Sequence, residues 1–420
     1  MGDAWAWYDP ESPWTTSQWL AEIAMAAIVD RVGWYGLVAV SVVLVTAIMG
    51  VGYALLRQRV SPPAVLVPYA ILTLLVVLSA QPRPALVSIL GVLLVAHAAE
   101  RCLLTGRVPH LWTTLALVLW ANIHGLWVIA PASLTLAGLL YWTSQGREDK
   151  AFIRRLFVIV AAWTIAGVTS PLGLGGLLLP FTLAGTTEHL QEWQRSSPWS
   201  IAFIPLGLTL MVILIRSRRA AVLHSSVVKI WVTFWVVFSL PALRNVIVSV
   251  IMLLPLVASS MREEANEQPS RGSTYTSPFT GLLSALVTAV MCLAILLRIN
   301  ALDPLADARP MKIAEYLASA EGRVRVLNDY NTAGVLLAFG PREVELGIDG
   351  RAERYGADYI REYLELIAVR GQRWPSLLDR LNPDYAVLEG DSALRYVLRD
   401  VRGWQEVLRD GDYVLLEAPP

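Results

Sequence analysis

The sequence predicts a polytopic α-helical membrane protein of about ten transmembrane helices with a C-terminal α/β domain. Three observations predict it. Apolar runs separated by short basic loops fill the chain from Trp34 to Arg298. The composition is 55% hydrophobic with only 16% charged residues, and the mean hydropathy of +0.52 is too apolar for a water-soluble chain of this length. From Asp303 onward the periodicity changes to alternating helix-like and strand-like stretches. Three regions follow: residues 1–33, an N-terminal segment with an interfacial helix; 34–298, the transmembrane helices; and 303–420, a soluble α/β domain.

A helix needs roughly 20 apolar residues to cross the hydrocarbon, fewer where the bilayer thins or flanking side chains snorkel. The candidate spans run approximately Trp34 to Leu56, Pro63 to Ala80, Ala85 to Ala99, Leu111 to Ile123, Leu126 to Trp142, Arg155 to Val168, Ser200 to Ile215, Val227 to Leu243, Val246 to Ser260 and Phe279 to Arg298. The stretch from Leu172 to Ala184 is short and Gly-rich, and reads as re-entrant or interfacial. Its Gly173, Gly175 and Gly176 match no phosphate-binding pattern and are expected to serve helix packing.

Basic residues in short loops stay on the cytoplasmic side. One alternate set of loops holds Arg57 and Arg59; Arg101 and Arg107; Arg147, Lys150, Arg154 and Arg155; Arg216, Arg218, Arg219 and Lys229; and Arg262 and Arg271. The opposite set holds little beyond Arg83, Arg195 and Arg244. The first set is therefore expected inside, with both termini and the α/β domain extracytoplasmic in a bacterial plasma membrane. No basic n-region precedes an apolar core, so no signal peptide is expected. Residues 17–32 place Trp19, Leu20, Ile23, Ala24, Ala27 and Ile28 at helical spacing, as a helix lying in the outer interface would. Trp5, Trp7, Trp14 and Trp19 would then sit at headgroup depth.

In the tail, helices are expected over Met311 to Ala320, Tyr359 to Val369, Trp374 to Leu381 and Leu394 to Asp400. Strands are expected over Val324 to Leu327, Val344 to Ile348, Tyr385 to Leu388, and a terminal pair, Trp404 to Leu408 and Tyr413 to Leu416, turning at Asp410-Gly411. Cys102 and Cys292, the two cysteines, belong to no metal-type cluster and imply no disulfide framework.

Polar residues that interrupt apolar runs are costly in lipid and are functional candidates. They collect on the expected outer face: Gln81 and Arg83 in a Gln-Pro-Arg-Pro turn, Asn122 and His124 where the chain turns back, Ser170, then Glu188, His189, Glu192 and Trp193, and Arg244 with Asn245. Arg83 and Arg244 suit a phosphate, whose oxygens match the guanidinium fork; snorkelling to headgroups is the alternative. Glu188 and Glu192 share a helical face beside His189 and are the one candidate site for a divalent metal or a base, the alternative being a solvated turn. His124 could equally be a satisfied interhelical hydrogen-bonder. In the tail, Asp329, Asp349 and Arg351 follow strands, where α/β sheets place their sites, although turn chemistry also accounts for them.

The order of several short motifs resembles bacterial membrane proteins of the GT-C glycosyltransferase type, many of them uncharacterised actinobacterial proteins. The motifs are Pro13-Trp14 followed by residues 18–22 (Gln-Trp-Leu-Ala-Glu), residues 120–125 (Trp-Ala-Asn-Ile-His-Gly), Glu192-Trp193, Arg244-Asn245, residues 327–331 (Leu-Asn-Asp-Tyr-Asn) and 348–351 (Ile-Asp-Gly-Arg). The resemblance implies a polyprenyl-phosphate sugar donor, an extracytoplasmic glycan, lipid or protein acceptor, and inversion at the anomeric carbon. It also implies an acidic base in the first outer loop and basic groups on the departing phosphate. Asp3, Asp9 and Glu192 are the acidic candidates. The chain departs from the pattern by opening inside what resembles the end of that loop, without the preceding helix. It also carries Gln-Pro-Arg-Pro where relatives have Arg-Pro-Gln, and Ser170-Pro171 where Asn-Pro is common. An inactive envelope scaffold whose tail binds a partner is the second reading, and a transporter the third. No nucleic-acid partner is expected.

Overall fold

The computed structural model describes residues 16–60, 64–79, 81–146, 149–182, 200–262, 278–298, 305 and 308–420. The chain divides into two compact units, one built on Thr16–Leu179 and Glu192–Pro304, the other holding Leu305–Pro420.

The first unit is a helical bundle. Its helices are α1 (Trp19–Val32), α2 (Trp34–Arg57), α3 (Leu66–Ser79), α4 (Ala85–Thr105), α5 (Thr113–Ile123), α6 (Ile129–Tyr141), α7 (Lys150–Val168), α8 (Gly175–Thr182), α9 (Ile204–Arg216), α10 (Ser226–Ser239), α11 (Leu243–Ser260) and α12 (Pro278–Arg298). Each of the ten apolar runs falls on a helix. Among the described residues, five stretches are long and apolar enough to cross a membrane: Trp34–Arg57, Ala85–Thr105, Gly125–Gln145, Lys150–Val168 and Leu243–Ser260. The chain is thus a multi-pass membrane protein with lipid as its solvent. The other apolar helices are shorter. α8 has eight described residues, and the end of the stretch expected to be re-entrant or interfacial lies outside the described residues.

Helices α4 and α11 form the core of the bundle. α11 is buried along nearly its whole length, and α4 packs against α2, α6 and α11. Close approach uses glycines other than those the sequence singled out. A Cβ on Gly138 would meet the Leu156 side chain at 2.4 Å, and one on Gly167 would meet the Trp127 indole at 1.9 Å. Among the described residues Gly173 and Gly175 face open space, which corrects their expected packing role, while a Cβ on Gly176 would meet Leu172, Ser170 and Trp127 at 3.6–3.8 Å, an ordinary packing contact. Gly173 instead supplies a left-handed turn (φ 54°) ahead of α8.

The second unit is a three-layer α/β domain of α13 (Met311–Ala318), β1 (Val324–Asn328), α14 (Ala333–Phe339), β2 (Val344–Leu346), α15 (Ala352–Ile367), α16 (Trp374–Leu381), β3 (Tyr385–Glu389), α17 (Ala393–Tyr396), β4 (Gln405–Asp410) and β5 (Tyr413–Glu417). The sheet order is β2-β1-β3-β5-β4. β1 lies parallel to both β2 and β3, while β5 runs antiparallel to β3 and β4. Alternation along the strands sorts the core: Leu327, Ala386, Leu388 and Leu416 face α15 and α16, whereas Val326, Val387 and Leu415 face α13 and α14. The terminal pair turns over Gly411-Asp412, one residue later than the expected Asp410-Gly411, because Asp410 still pairs with Tyr413 and Gly411 takes the positive φ (60°) at the first turn position. α14 is the one tail helix absent from the sequence expectation.

Candidate functional site

His124 stands just past α5, where the backbone turns extended (φ −161°, ψ 140°) and ends the helix. Its Nδ1 lies 2.8 Å from Ser88 Oγ on α4 and 3.3 Å from the Leu126 N–H. Ser88 Oγ itself accepts from Trp120 Nε1 at 2.8 Å. An indole can only donate and Leu126 offers only an N–H, so the Ser88 hydroxyl proton points at Nδ1 and the neutral ring carries its own proton on Nε2. The charge acting on the ring is the Arg244 guanidinium at the start of α11. An imidazole N–H within electrostatic reach of a guanidinium is the chemistry an anion needs.

The neighbouring candidates are tethers. Asn122 Oδ1 accepts from Trp19 Nε1 at 2.8 Å and its amide donates to the Val118 carbonyl at 2.8 Å, tying α1 to α5. The indole expected at headgroup depth is thereby committed to a helix contact. Asn245 donates to the Phe238 carbonyl at 3.0 Å and closes the α10–α11 hairpin. Gln81 and Arg83 are exposed on the α3–α4 turn. Ser170 Oγ is buried with no hydrogen-bond partner among the described residues. Asp3, Asp9, Glu188, His189, Glu192, Trp193, Trp5, Trp7 and Trp14 lie outside the described residues, and among those described no group of three His, Cys, Asp or Glu could hold a metal.

A second polar node escaped the sequence reading. Glu100 of α4 is 4% exposed, and its carboxylate accepts from Arg59 Nη2 at 2.6 Å, Arg59 Nε at 3.3 Å and Ser259 Oγ at 2.5 Å. Nearby, Arg216 Nε donates to the Ser260 carbonyl at 2.9 Å, and His97 Nδ1 is buried without a hydrogen-bond partner among the described residues. Ser88 and Glu100 lie about 18 Å apart along α4 at the helical rise, and Arg244 and Ser259 stand at opposite ends of α11. The two nodes therefore mark opposite ends of the bundle. The Arg57/Arg59 and Arg216 loops meet at one end, His124 and Arg244 at the other. The sequence signal was available: an acidic residue three positions after a histidine, directly following an apolar run.

In the tail, the turn residues hold one another. Asp329 Oδ1 accepts the N–H groups of Asn331 and Thr332 at 3.0 Å each. Asp349 Oδ1 accepts from the Arg351 N–H and from Arg351 Nε, both at 2.9 Å. Tyr330 joins the two turns through its hydroxyl, 3.2 Å from the Gly350 carbonyl. Burial pushes the Asp329 carboxyl up against the pull of its Thr332 and Asn331 hydrogen bonds. Glu389, at the end of β3, is also raised, first by burial and then by the charges of Asp329, Asp391 and Asp412. A carboxyl raised in the fold is least destabilising when protonated, so its contribution worsens as pH rises from the unfolded value, about 4, through the folded one. Glu389→Gln is therefore expected to slow hydrogen exchange at the β1 and β3 amides at pH 7. The gain should vanish below about pH 4. Equal protection of variant and wild type at pH 7 would contradict this.

No known protein family's sequence profile matches the chain. It is 28% identical over 193 residues to an acurin A biosynthesis cluster MFS-type transporter of Aspergillus aculeatus, an alignment covering 38% of this chain and 34% of that protein. The chain thus spans about a third of the length of that curated relative.

Proposed function

We propose that this chain is a glycosyltransferase of the GT-C type, moving a sugar from a polyprenyl-phosphate carrier to an extracytoplasmic acceptor of the bacterial envelope. In this reading the bundle crosses the plasma membrane about ten times, its shorter helices spanning where the bilayer thins, with both termini outside. The observation that carries it is the His124 ring, its Nδ1 occupied by Ser88 and the ring itself within electrostatic reach of Arg244 at the start of α11, both at the end opposite the basic loops. Nε2–H and the guanidinium would bind the donor's phosphate and stabilise the charge that grows on it as the glycosidic bond breaks. The acidic residue that deprotonates the acceptor is sought among Asp3, Asp9 and Glu192. Arg83 would reinforce the phosphate end.

Charge-assisted hydrogen bonds contribute roughly 1.5–3 kcal/mol. His124→Gln or Arg244→Ala is therefore expected to weaken binding of a polyprenyl-phosphate sugar to the full-length protein in nanodiscs by about ten-fold or more. Wild-type protein that binds no such lipid, or variants that bind it as wild type does, would overturn the reading.

Transport is the second reading. It is favoured by the likeness to an MFS-type transporter and by a buried ion pair joining the α2–α3 loop to α4, a pairing common on transport pathways. Flux of the lipid-linked sugar across proteoliposomes without product formation would select it over transfer.

A further inference from the structure

At the end of the bundle where Arg59 meets Glu100, a shallow cavity of about 260 Å³ opens between the α4–α5 loop and the first turns of α7. Its lining is of two kinds. The α4–α5 loop supplies His110 and Leu111 and α7 supplies Arg154, Arg155, Val158 and Ile159, so basic groups and apolar side chains lie side by side in it. Among the described residues its charge is poorly compensated. Among the described residues Arg154 has no acidic partner, and Arg155 reaches Asp149 only at 4.0 Å with both side chains half exposed or more. The apolar lining does not stop at the cavity. Leu111 and Leu115, one helical turn apart, are 57% and 75% exposed, and on α7, which packs beside α5, Phe157 and Ile165 are 71% and 68% exposed. In a bilayer these surfaces face acyl chains.

We propose that this cavity is a binding site for an anionic phospholipid. The phosphate sits against Arg154, Arg155 and His110, and an acyl chain lies along the α5–α7 surface. A soluble anion would use the basic groups and leave the apolar ones idle. A zwitterionic lipid would use both but brings its own cation close to two guanidiniums and no net negative charge. An anionic lipid satisfies both kinds of lining, and basic pockets between membrane helices recognise such headgroups. Arg107 in the α4–α5 loop, Arg101 near the end of α4 and Lys150 at the start of α7 add to the attraction, offset in part by Asp149.

The test is native mass spectrometry of the full-length protein released from micelles containing phosphatidylglycerol and phosphatidylcholine in equal amounts. Wild-type protein should retain phosphatidylglycerol preferentially. At about five-fold per basic residue, Arg154→Gln with Arg155→Gln should reduce that preference by roughly 25-fold. Arg218→Gln with Arg219→Gln, which removes the same charge from another basic loop, should leave it within about two-fold. Both pairs are surface changes, and unaltered elution on size exclusion verifies that the fold is kept. Equal loss in the two double variants would overturn the site in favour of diffuse charge attraction, as would unchanged preference in the first. Full displacement of the lipid by millimolar inorganic phosphate would show a phosphate site without a lipid component, and would equally overturn it. The readout involves neither His124 nor Arg244, so it stands or falls separately from the transferase reading.

Discussion

Glu100→Ala is expected to destabilise the bundle by about 3–5 kcal/mol, the cost of removing one partner from a buried ion pair. The Arg59 side chain is only 8% exposed, and apart from Glu100 its guanidinium is held by the Leu55 carbonyl at 2.8 Å. Without the carboxylate, a full positive charge remains between α2, α4 and α11, and Ser259 loses its acceptor. Glu100→Gln keeps an acceptor for Ser259 but not the charge, and should fall between wild type and Ala. The double change Arg59→Leu with Glu100→Leu removes both charges and should recover most of the loss, since apolar replacement of a buried pair is often near neutral. Cys102 reports the outcome directly. Its thiol is fully buried two positions from Glu100, so the temperature at which a maleimide alkylates it marks opening of the bundle around α4. The order expected is wild type, then the Leu pair, then Gln, then Ala. Alkylation of Glu100→Ala at the wild-type temperature would mean that the ion pair carries no stability.

That Glu100 went unnoticed in the sequence has a physical cause. Charge is a sound marker for the end of a span, so the third apolar run was ended at Ala99, immediately before Glu100 and Arg101. The helix itself continues to Thr105, because backbone hydrogen bonding does not stop where hydropathy does, and Arg59 from the α2–α3 loop makes the carboxylate tolerable inside. α7 shows the same effect at its other end. It begins at Lys150, ahead of the apolar run, because the Asp149 side chain caps the Phe152 N–H at 2.8 Å. Helix positions were legible from period and length, whereas their charged extensions depend on partners distant in sequence. The tail strands were legible for a similar reason: Val326, Val387 and Leu415 alternate with Leu327, Leu388 and Leu416 between two cores. α14 is not legible because its seven residues give less than two full helical turns from which to read a period. Within the outer cluster, His124 and Arg244 stood out as costly in lipid. Ser88, which orients the imidazole, did not, since one serine in an apolar helix usually bonds its own backbone. Only the fold brings it to Nδ1.

Gly167→Ala is the second substitution expected to have a large effect, and it links packing to the His124 site. The indole of Trp127 is 1% exposed, and a Cβ on Gly167 would stand 1.9 Å from Cζ3, 2.1 Å from Cη2 and 2.3 Å from Cε3. Three atoms of a rigid ring are met at once, so no rotation of a flexible chain end relieves the overlap. Either the indole or α7 must move, at a cost of about 2–3 kcal/mol for overpacking a core. Trp127 belongs to the short 3-10 turn Gly125–Val128, whose Leu126 N–H donates to His124 Nδ1. Moving the indole therefore drags on the group that sets the imidazole's tautomer. Trp127→Leu alone should destabilise by leaving a cavity, yet it should make Gly167→Ala nearly silent, because the ring that was struck is gone. A double-mutant cycle on the Cys102 alkylation temperature is expected to show a coupling of roughly 1–2 kcal/mol. Additive losses would mean that α7 shifts freely and that the contact between Gly167 and Trp127 does not hold the turn. Weakened lipid-sugar binding in Gly167→Ala, restored when Trp127→Leu is added, would connect this packing contact to the phosphate-binding end of the bundle.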